Sequence, residues 1–373
     1  MRYRRAPIEI ESPEELGYDA ISYNLAESSF RDRRLSDYGI NTDVGDLLLQ
    51  YGDHRGVPSL REQIAGDAPG VVGVDDVLVT AGAAPALFIV ATTLLEAGDH
   101  LLIEEPNYAT NLETPRTLGA EVEPLPLFFE DGWSLDLDLV EKRLRPETKL
   151  VSVTYPHNPT GAMIDLATLE RLVEIVEGHP EARLLVDETY RELAFGEPLP
   201  VAAGLSERVI SVSSMSKTYG LPGLRMGWLI SRDPELATPL LAAKEQILIC
   251  GSPINEEMAA RVLEARERIL PPIKATIAEH LGIVREWMAS QSTFEWVEPE
   301  AGVVGMPRLS DPDSVDLDRF YDDLLKQHGT YVGPGHWFDQ PRSCFRLGFG
   351  WPETEELRRG LDGLAAAAAG ASR

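Results

Sequence analysis

Short apolar runs rich in Val, Ile and Leu recur along the first two thirds of the chain, and helical stretches separate them. None of them alternates apolar with polar residues, so each fits a strand that is buried on both faces. Strands of this kind occur in parallel sheets covered by helices. We therefore predict an α/β fold with a mostly parallel sheet flanked by helices. The runs are Val77–Thr80, His100–Glu104, Lys149–Thr154, Arg183–Asp187 and Val209–Val212.

The regular alternation of strands and helices ends near residue 255, and longer helical patterns with short strands follow. This change predicts a second, smaller α+β domain. The first 40 residues carry charge without a clear period and fit an arm that docks on another part of the protein. We predict an N-terminal arm at 1–40 that joins the small domain, a large domain at 41–255 and a small C-terminal domain at 256–373.

Proline marks two predicted helix boundaries in the second half of the chain. Asp233 followed by Pro234 predicts the start of a helix, with Asp233 as its N-cap. The pair Pro271-Pro272 predicts a break in the helical pattern, because proline lacks an amide hydrogen and clashes with the preceding turn. A long helix is predicted from Pro272 to Gln291.

Charge and cysteine content exclude several classes of partner. The net charge is 34 − 61 = −27, so a nucleic-acid backbone would be repelled. No apolar run approaches the roughly 18 residues of a membrane span, and the first residues lack the apolar core of a signal peptide. Cys250 and Cys344 form neither a disulfide framework nor a metal-binding spacing. We expect a soluble cytoplasmic protein with no metal, nucleic-acid or membrane partner.

One lysine stands in an unusual setting. Lys217 lies in the stretch Ser211–Trp228, which offers hydroxyls, a Gly/Pro turn and Arg225 after a β-branched run. The chain has only six lysines against 28 arginines. A buried amine can lose its proton and form an imine, which a guanidinium cannot do. The stretch fits an imine-forming lysine beside an arginine that binds phosphate, and a solvated loop lysine is the alternative.

Three further features follow predicted strands, where open α/β sheets bind ligands. The small residues Thr80–Ala84 could offer amides to an anion, although such turns also serve packing. Asn158 lies between two prolines, which would aim its amide or simply form a turn. Asp187 ends an apolar strand and needs a cation there, such as a protonated pyridine nitrogen or a salt-bridge partner.

The spacing of these features predicts that they meet. Asn158 and Asp187 are 29 residues apart, and Asp187 and Lys217 are 30 apart. One strand–helix–strand unit needs about 30 residues. The three side chains are therefore expected at successive strand ends around one cleft.

These motifs together resemble the class I/II, fold-type I aminotransferases that depend on pyridoxal phosphate, across nearly the whole chain. The family's lysine signature matches Ser214 to Arg225, its Asn-Pro-x-Gly motif matches Asn158 to Gly161, and its Asp-x-x-Tyr motif matches Asp187 to Tyr190. The resemblance implies an enzyme that moves an amino group from an L-α-amino acid to a 2-oxo acid. It also implies that the large domain binds the cofactor.

The resemblance assigns roles to individual residues. Lys217 would hold the cofactor as a Schiff base and then move the catalytic proton, while Asp187 would keep the pyridine nitrogen protonated. Asn158 and Tyr190 would hydrogen-bond the 3′-oxygen and tune the pKa of the Schiff base. The remaining cofactor contacts would come from Tyr108, which stacks on the ring, and from a phosphate site of Gly82, Ala83, Ala84, Ser214 and Arg225.

Two more matches concern the substrate and the assembly. Arg346 matches the arginine that binds the substrate α-carboxylate by a bidentate pair, although a lone arginine on a strand is otherwise a surface residue. Tyr51 matches the tyrosine that reaches the phosphate of the neighbouring subunit. The resemblance therefore implies a homodimer with shared active sites.

The chain departs from the family pattern where the substrate side chain is expected. Ala26 stands where the family commonly has glycine, and Glu27 adds a carboxylate there, unless it is simply an exposed acid. A minor branch of the family, with arginine-modifying and capreomycidine-forming enzymes, has a similar segment. His336 and Trp337 are further specificity candidates, with packing as the alternative role.

Two alternative functions remain open. Glu27 motivates another fate of the same cofactor chemistry, namely oxidation, β/γ-elimination or cyclisation of a basic amino acid such as arginine. A non-enzymatic effector module, like those of some regulators, is the other class, and the strongly negative charge argues against a DNA-binding regulator.

Overall fold

A computed structural model describes residues 3–373 of the chain. The strands are β1 Tyr23–Leu25, β2 Val77–Thr80, β3 His100–Glu105, β4 Glu121–Pro126, β5 Thr148–Thr154, β6 Arg183–Asp187, β7 Val209–Ser214, β8 Gly227–Ser231, β9 Phe294–Glu295, β10 Val304–Gly305, β11 Arg308–Leu309, β12 Thr330–Pro334 and β13 Phe345–Gly348. The helices are α1 Pro7–Ile10, α2 Pro13–Leu16, α3 Pro58–Ala65, α4 Ala83–Leu94, α5 Ala109–Leu118, α6 Leu137–Arg143, α7 Leu166–Glu177, α8 Met215–Thr218, α9 Ala237–Ile247, α10 Pro253–Glu264, α11 Arg266–Ala289, α12 Leu317–Lys326 and α13 Thr354–Gly370.

The large sheet has seven strands in the order β2-β8-β7-β6-β5-β3-β4. All neighbours run parallel except β8, which is antiparallel to both β2 and β7. Buried residues of α4 and α9 cover one face of the sheet, and buried residues of α7 cover the other. The predicted α/β fold with a mostly parallel sheet is confirmed, although β4 and β8 were not among the predicted strands.

The parallel strands of this sheet bring polar residues to one edge. Thr154 at the end of β5 pairs in register with Asp187 at the end of β6, and β7 ends at Ser214 immediately before α8. Because parallel strands end at the same edge, residues far apart in the chain become neighbours there. Asn158 and Lys217 follow these strand ends by a few residues.

A second sheet has the order β1-β12-β13-β10 and packs with α11, α12 and α13. The N-terminal segment contributes β1, which runs parallel to β12. The predicted division between residues 255 and 256 falls inside α10 and stays a prediction. Within residues 3–373, no helix combines the length and apolar character needed to cross a lipid bilayer.

Two predicted helix boundaries are wrong. Asp233 does not cap α9, which begins only at Ala237. Its Oδ1 accepts from Glu235 N at 2.9 Å and closes a turn before the helix, while its Oδ2 lies 2.7 Å from Arg183 Nη2. The Pro271-Pro272 pair does not break the helix either. Helix α11 runs through both prolines, and its buried face continues from Ile269 to Ile273 across them. Burial of this face outweighs the hydrogen bonds that the prolines remove.

Candidate active site

A cavity of about 370 Å³ opens at the strand edge described above. Strand ends of the large sheet, the N-terminal segment and β13 of the small sheet all contribute to its wall. Thirteen of the residues predicted from the sequence line it: Ala26, Glu27, Ala83, Ala84, Tyr108, Asn158, Asp187, Tyr190, Ser214, Lys217, Arg225, Trp337 and Arg346.

The start of α4 forms one wall of the cavity and is suited to an anion. No side chain caps this helix, so its first amides are free, and they follow Gly82 at φ +106°. A Cβ at Gly82 would lie 2.6 Å from Arg225 Nη2, so only glycine lets the guanidinium approach the backbone here. Arg225 also donates from Nη2 to the Ala81 carbonyl at 3.1 Å. Together with Ser214, this arrangement fits a phosphate group.

Lys217 extends from the four-residue helix α8 into the same cavity. Burial lowers the pKa of its amine, and the nearby Glu27 carboxylate opposes this effect. No acidic side chain of residues 3–373 forms an ion pair with Lys217. A half-buried amine without a paired carboxylate is more readily neutral, which is the form that attacks an aldehyde.

Asp187 is a buried carboxylate on the cavity wall, with 7% of its surface exposed. Its Oδ1 accepts hydrogen bonds from Thr189 N at 3.0 Å and from Thr189 Oγ1 at 2.6 Å. Burial raises the pKa of Asp187, and the bonds from Thr189 oppose the rise. Within the described part of the chain it has no ion-pair partner. Such a carboxylate is stabilised by a cation inside the cavity, and a protonated pyridine nitrogen meets that requirement.

Arg346 is a buried cation, 4% exposed, that projects from β13 toward Asn158. Its Nη1 donates to Asn158 Oδ1 at 3.1 Å, and its Nη2 donates to the Ala26 carbonyl at 2.6 Å. Its Nε has no hydrogen-bond partner within residues 3–373. Burial lowers the pKa of the guanidinium. A carboxylate would satisfy this fork of donors, as the predicted role requires. The bond to Arg346 also leaves the Asn158 amide nitrogen as the free donor.

The three tyrosines predicted to contact the cofactor lie in different settings. Tyr108 precedes α5 and lies half-buried on the cavity wall. The Tyr190 hydroxyl donates to the Ser28 carbonyl at 2.7 Å, so its proton is already engaged in a hydrogen bond. Tyr190 would need to reorient to hydrogen-bond a cofactor oxygen. Tyr51 is 80% exposed and lies outside the cavity of its own chain.

The N-terminal segment provides a part of the wall that sequence reasoning missed. Helices α1 and α2 contribute Glu9 and Glu14, among others, to the cavity. The Ser12 side chain caps α2, accepting from Glu15 N, and Pro13 occupies the first helical position. Ser-Pro-Glu-Glu is a helix-start signal and could have revealed this helix. Other missed residues on the wall are Ser28, Leu87, Thr154, Thr189 and Ser216.

The two neighbouring specificity candidates, His336 and Trp337, face different cavities in the structure. Trp337 lines the cavity. His336 does not line it, because its Nε2 is 2.8 Å from Glu11 Oε2 and it borders a different cavity. The prediction for His336 therefore receives no support from the geometry.

A family model described as aminotransferase class I and II matches residues 38–364. Capreomycidine synthase of Streptomyces vinaceus is 31% identical over 351 residues, which cover 92% of this chain and 87% of that protein. Arginine–pyruvate transaminase of Pseudomonas aeruginosa is 32% identical over 302 residues, covering 77% and 74% of the two chains. Among solved structures, the pyridoxal-phosphate-dependent cyclase OrfR superposes with a TM-score of 0.87 at 29% identity, covering 99% of this chain and 98% of that one.

Proposed function

The chain belongs to the class I and II aminotransferase family, and we propose that its amino-group donor is an L-α-amino acid with a cationic side chain, such as arginine. The enzyme uses pyridoxal phosphate and moves an amino group from an L-α-amino acid to a 2-oxo acid. The observation that carries the finer proposal is a half-buried carboxylate without an ion pair within residues 3–373, Glu27, in the same cavity as the predicted α-carboxylate anchor Arg346.

The cavity residues fit the cofactor. Pyridoxal phosphate supplies an aldehyde that binds amines and a ring that withdraws electrons from the substrate Cα. We assign Lys217 Nζ to the aldehyde and to proton transfer at Cα, and Asp187 to the ring nitrogen. The Asn158 amide nitrogen is assigned to the 3′-oxygen, which Tyr190 would join after reorienting, and Tyr108 to the ring face. The phosphate is assigned to Gly82, Ala83, Ala84, Ser214 and Arg225.

Arg346 provides the anchor for the substrate. Its guanidinium is buried and faces the cavity, where a carboxylate is held more strongly than in water because the local dielectric is low. The Ala26 carbonyl and Asn158 hold the guanidinium in place. We propose that Arg346 binds the α-carboxylate and so orients the Cα–H bond toward Lys217.

Glu27 forms no ion pair with the described residues of the cavity, although Lys217 and Arg346 attract its charge. Its Oε1 is 3.4 Å from the Tyr18 hydroxyl, and it forms no ion pair within residues 3–373. Burial raises the pKa of Glu27. Attraction by Lys217 and Arg346 opposes the rise, and repulsion from Glu14 adds to it. Glu9 and Glu14 line the same cavity. A cationic substrate side chain would neutralise this excess of negative charge, whereas an acidic side chain would add to it.

The name of one relative supports the same substrate class, and the names of the relatives leave the type of reaction open. One relative is named for transamination between arginine and pyruvate, and a solved structure is named as a cyclase. Cyclisation, oxidation or elimination of a basic amino acid is therefore the second candidate function. The acceptor requirement distinguishes it from transamination.

We expect the enzyme to prefer arginine to citrulline, its neutral isostere, and we expect Glu27→Gln to reduce that preference by roughly 10- to 100-fold. The amide keeps the shape of the side chain but removes the charge that attracts the guanidinium. Half-reaction kinetics with each amino acid, followed by the absorbance of the bound cofactor, measure the ratio. Glu15→Gln is the matched control, since Glu15 lies on α2 but pairs with Arg5 and does not line the cavity.

An unchanged preference in Glu27→Gln would contradict the substrate proposal. A screen in which acidic or aromatic amino acids react best would also overturn it. Product analysis with and without a 2-oxo acid tests the reaction itself. Turnover of arginine that needs no acceptor and releases ammonia or peroxide would favour the second candidate function.

We also propose a homodimer with shared active sites. Leu48, Leu49 and Tyr51 are exposed on one surface segment, and Ile247 and Ile249 are exposed at the end of α9. The two segments are adjacent, because His54 Nδ1 lies 2.5 Å from Glu245 Oε1. Apolar residues gathered at one surface favour a protein interface. A second copy bound at this surface would allow Tyr51 to reach the phosphate of its partner.

Leu49→Asp is expected to shift the dimer toward monomer and to weaken cofactor binding at least about tenfold, because a charge would be buried at the interface. Sedimentation velocity and cofactor titration at the same protein concentrations measure the two effects. Phe128→Asp is the control, since Phe128 is exposed elsewhere on the surface. A wild-type chain that sediments as a monomer while binding the cofactor fully would contradict the proposal.

We extend the proposal to a cytoplasmic location. Cys250 and Cys344 are both unpaired thiols, and Cys344 is buried. A reducing compartment preserves such thiols. A role in amino-acid metabolism is consistent with this reducing compartment.

A further inference from the structure

Glu104 is a buried carboxyl group that lies behind the wall of the active-site cavity. It is near the end of β3, and none of its surface is exposed. It does not line the cavity, and none of the roles described above involves it. Carboxyl groups are rarely buried completely unless hydrogen bonds or a cation compensate for the lost hydration.

The Glu104 side chain binds the end of the neighbouring strand β5. Its Oε2 accepts a hydrogen bond from Thr154 N at 2.8 Å, and its Oε1 accepts one from the Tyr155 hydroxyl. Thr154 lines the cavity and pairs in register with Asp187. Tyr155 N donates to the Asp187 carbonyl at 3.0 Å. The carboxyl of Glu104 therefore holds the peptide that lies against Asp187.

The Glu104 backbone holds a second loop of the site. Its carbonyl accepts from Asn107 Nδ2 at 3.1 Å, and Asn107 Oδ1 in turn accepts from Tyr108 N at 2.7 Å. Asn111 Nδ2 also donates to Asn107 Oδ1, at 3.0 Å, and secures the start of α5. One residue thus connects the loop of the cavity aromatic with the strand end that leads to Asn158.

We propose that Glu104 is a positioning residue for the cofactor site, in which its buried carboxyl group fixes the end of β5 relative to the loop of Tyr108. The proposal concerns the cofactor site alone and holds whichever amino acid the enzyme takes. The role of Glu104 does not depend on the preference for a basic amino acid, so an experiment can contradict either one without contradicting the other.

The surroundings of Glu104 favour the protonated form. The titratable groups that face it are Tyr155 and His157, with His157 Nε2 4.0 Å from Glu104 Oε2. Burial lowers the pKa of His157 to about 4, so this histidine is neutral at pH 7. No arginine or lysine in residues 3–373 pairs with Glu104. Burial raises the pKa of Glu104 to about 8, although the bonds from Tyr155 and Thr154 oppose the rise.

The sign of the pH dependence follows from these directions. The folded chain binds the Glu104 proton more tightly than the unfolded chain, whose carboxyl ionises near pH 4. The stabilisation is complete below the unfolded pKa and is lost as the pH rises toward and through about 8. Above that pH an ionised carboxylate without a cation would lie between the two loops and disturb them.

The test uses two substitutions of different character. Glu104→Gln can still accept from Thr154 N and can donate to the Tyr155 oxygen, but it cannot ionise. Glu104→Leu fills similar space and leaves both partners unsatisfied. We expect Glu104→Leu to weaken pyridoxal-phosphate affinity about 10- to 100-fold, and Glu104→Gln to stay within about threefold of wild type at pH 7.

Cofactor titration from pH 6.5 to 9.5 distinguishes positioning from a general loss of stability. Wild type should lose affinity through about pH 8, and Glu104→Gln should lose less over the same range. Asp233→Asn is the control, since it removes a buried charge that pairs with Arg183 at the start of β6, away from both loops. The inference is overturned if Glu104→Gln shows the same alkaline loss as wild type or if Glu104→Leu binds the cofactor normally. If Glu104→Leu does not fold, the pH series of Glu104→Gln alone decides.

Discussion

Replacing Lys217 with alanine is expected to abolish the covalent link to pyridoxal phosphate and nearly all turnover. The substitution removes the amine that we assign to the aldehyde and to proton transfer at Cα. Proton transfer alone contributes about 10²- to 10⁴-fold to the rate, and loss of the covalent link adds to that. Borohydride reduction followed by mass spectrometry of the intact chain measures the link directly.

Lys244→Ala is the matched control for this experiment. Lys244 is also buried, and burial lowers the pKa of its amine as it does for Lys217. Its amine instead donates to the His54 carbonyl, outside the cavity. Covalent cofactor should therefore remain in Lys244→Ala. An adduct that persists in Lys217→Ala, or disappears in Lys244→Ala, would show that the lysine has been assigned wrongly.

The second large effect is expected for Asp187→Asn, which should lower kcat by about 10²- to 10⁴-fold while the chain stays folded. The amide oxygen can still accept from Thr189, so the local hydrogen bonds survive. The substitution removes the negative charge that, in the proposed role of Asp187, keeps the ring nitrogen protonated and the ring electron-withdrawing. Steady-state kinetics and the absorbance of the bound cofactor measure the two consequences.

Glu188→Gln is the control for the loss of a buried carboxyl group. Glu188 is the next residue, and its Oε1 accepts from Ala202 N rather than facing the cavity. We expect its activity to remain within about tenfold of wild type, because the altered group does not touch the cofactor. Comparable losses in both variants would indicate a structural role for Asp187 and would remove the reason to place it at the ring nitrogen.

Part of the site could be predicted from the sequence because the fold has a regular period. Lys217, Asp187 and Asn158 each follow a buried strand, and strand–helix–strand units of about 30 residues bring such positions to one sheet edge. Arg346 and Tyr108 carry no comparable signal. The sequence around a single arginine on a strand does not show whether it lies at the surface or in a site, and the same holds for a tyrosine after a proline. Only the family resemblance pointed to these two residues.

Other features depend on contacts that a linear pattern does not contain. The Asp233 carboxylate makes the cap-like bond to Glu235 N that its sequence predicts, but it closes only a turn, and it also binds Arg183, 50 residues away in the chain. The Pro271-Pro272 pair looks like a break until the buried face of α11 is seen on both sides of it. Helices α1 and α2 have four residues each, which is too short for a helical period to emerge.

The hydrogen bond between Arg346 and Asn158 makes the two halves of the site thermodynamically linked. A substrate carboxylate that draws the guanidinium toward itself changes the hold on the Asn158 carbonyl oxygen, and the nitrogen of that same amide is assigned to the cofactor's 3′-oxygen. Such linkage is reciprocal. If binding of the substrate carboxylate changes the proton affinity of the 3′-oxygen, then protonation of the 3′-oxygen changes the affinity for the carboxylate by the same free energy. Ground-state binding of the substrate and the acidity of the cofactor therefore cannot be tuned independently in this enzyme.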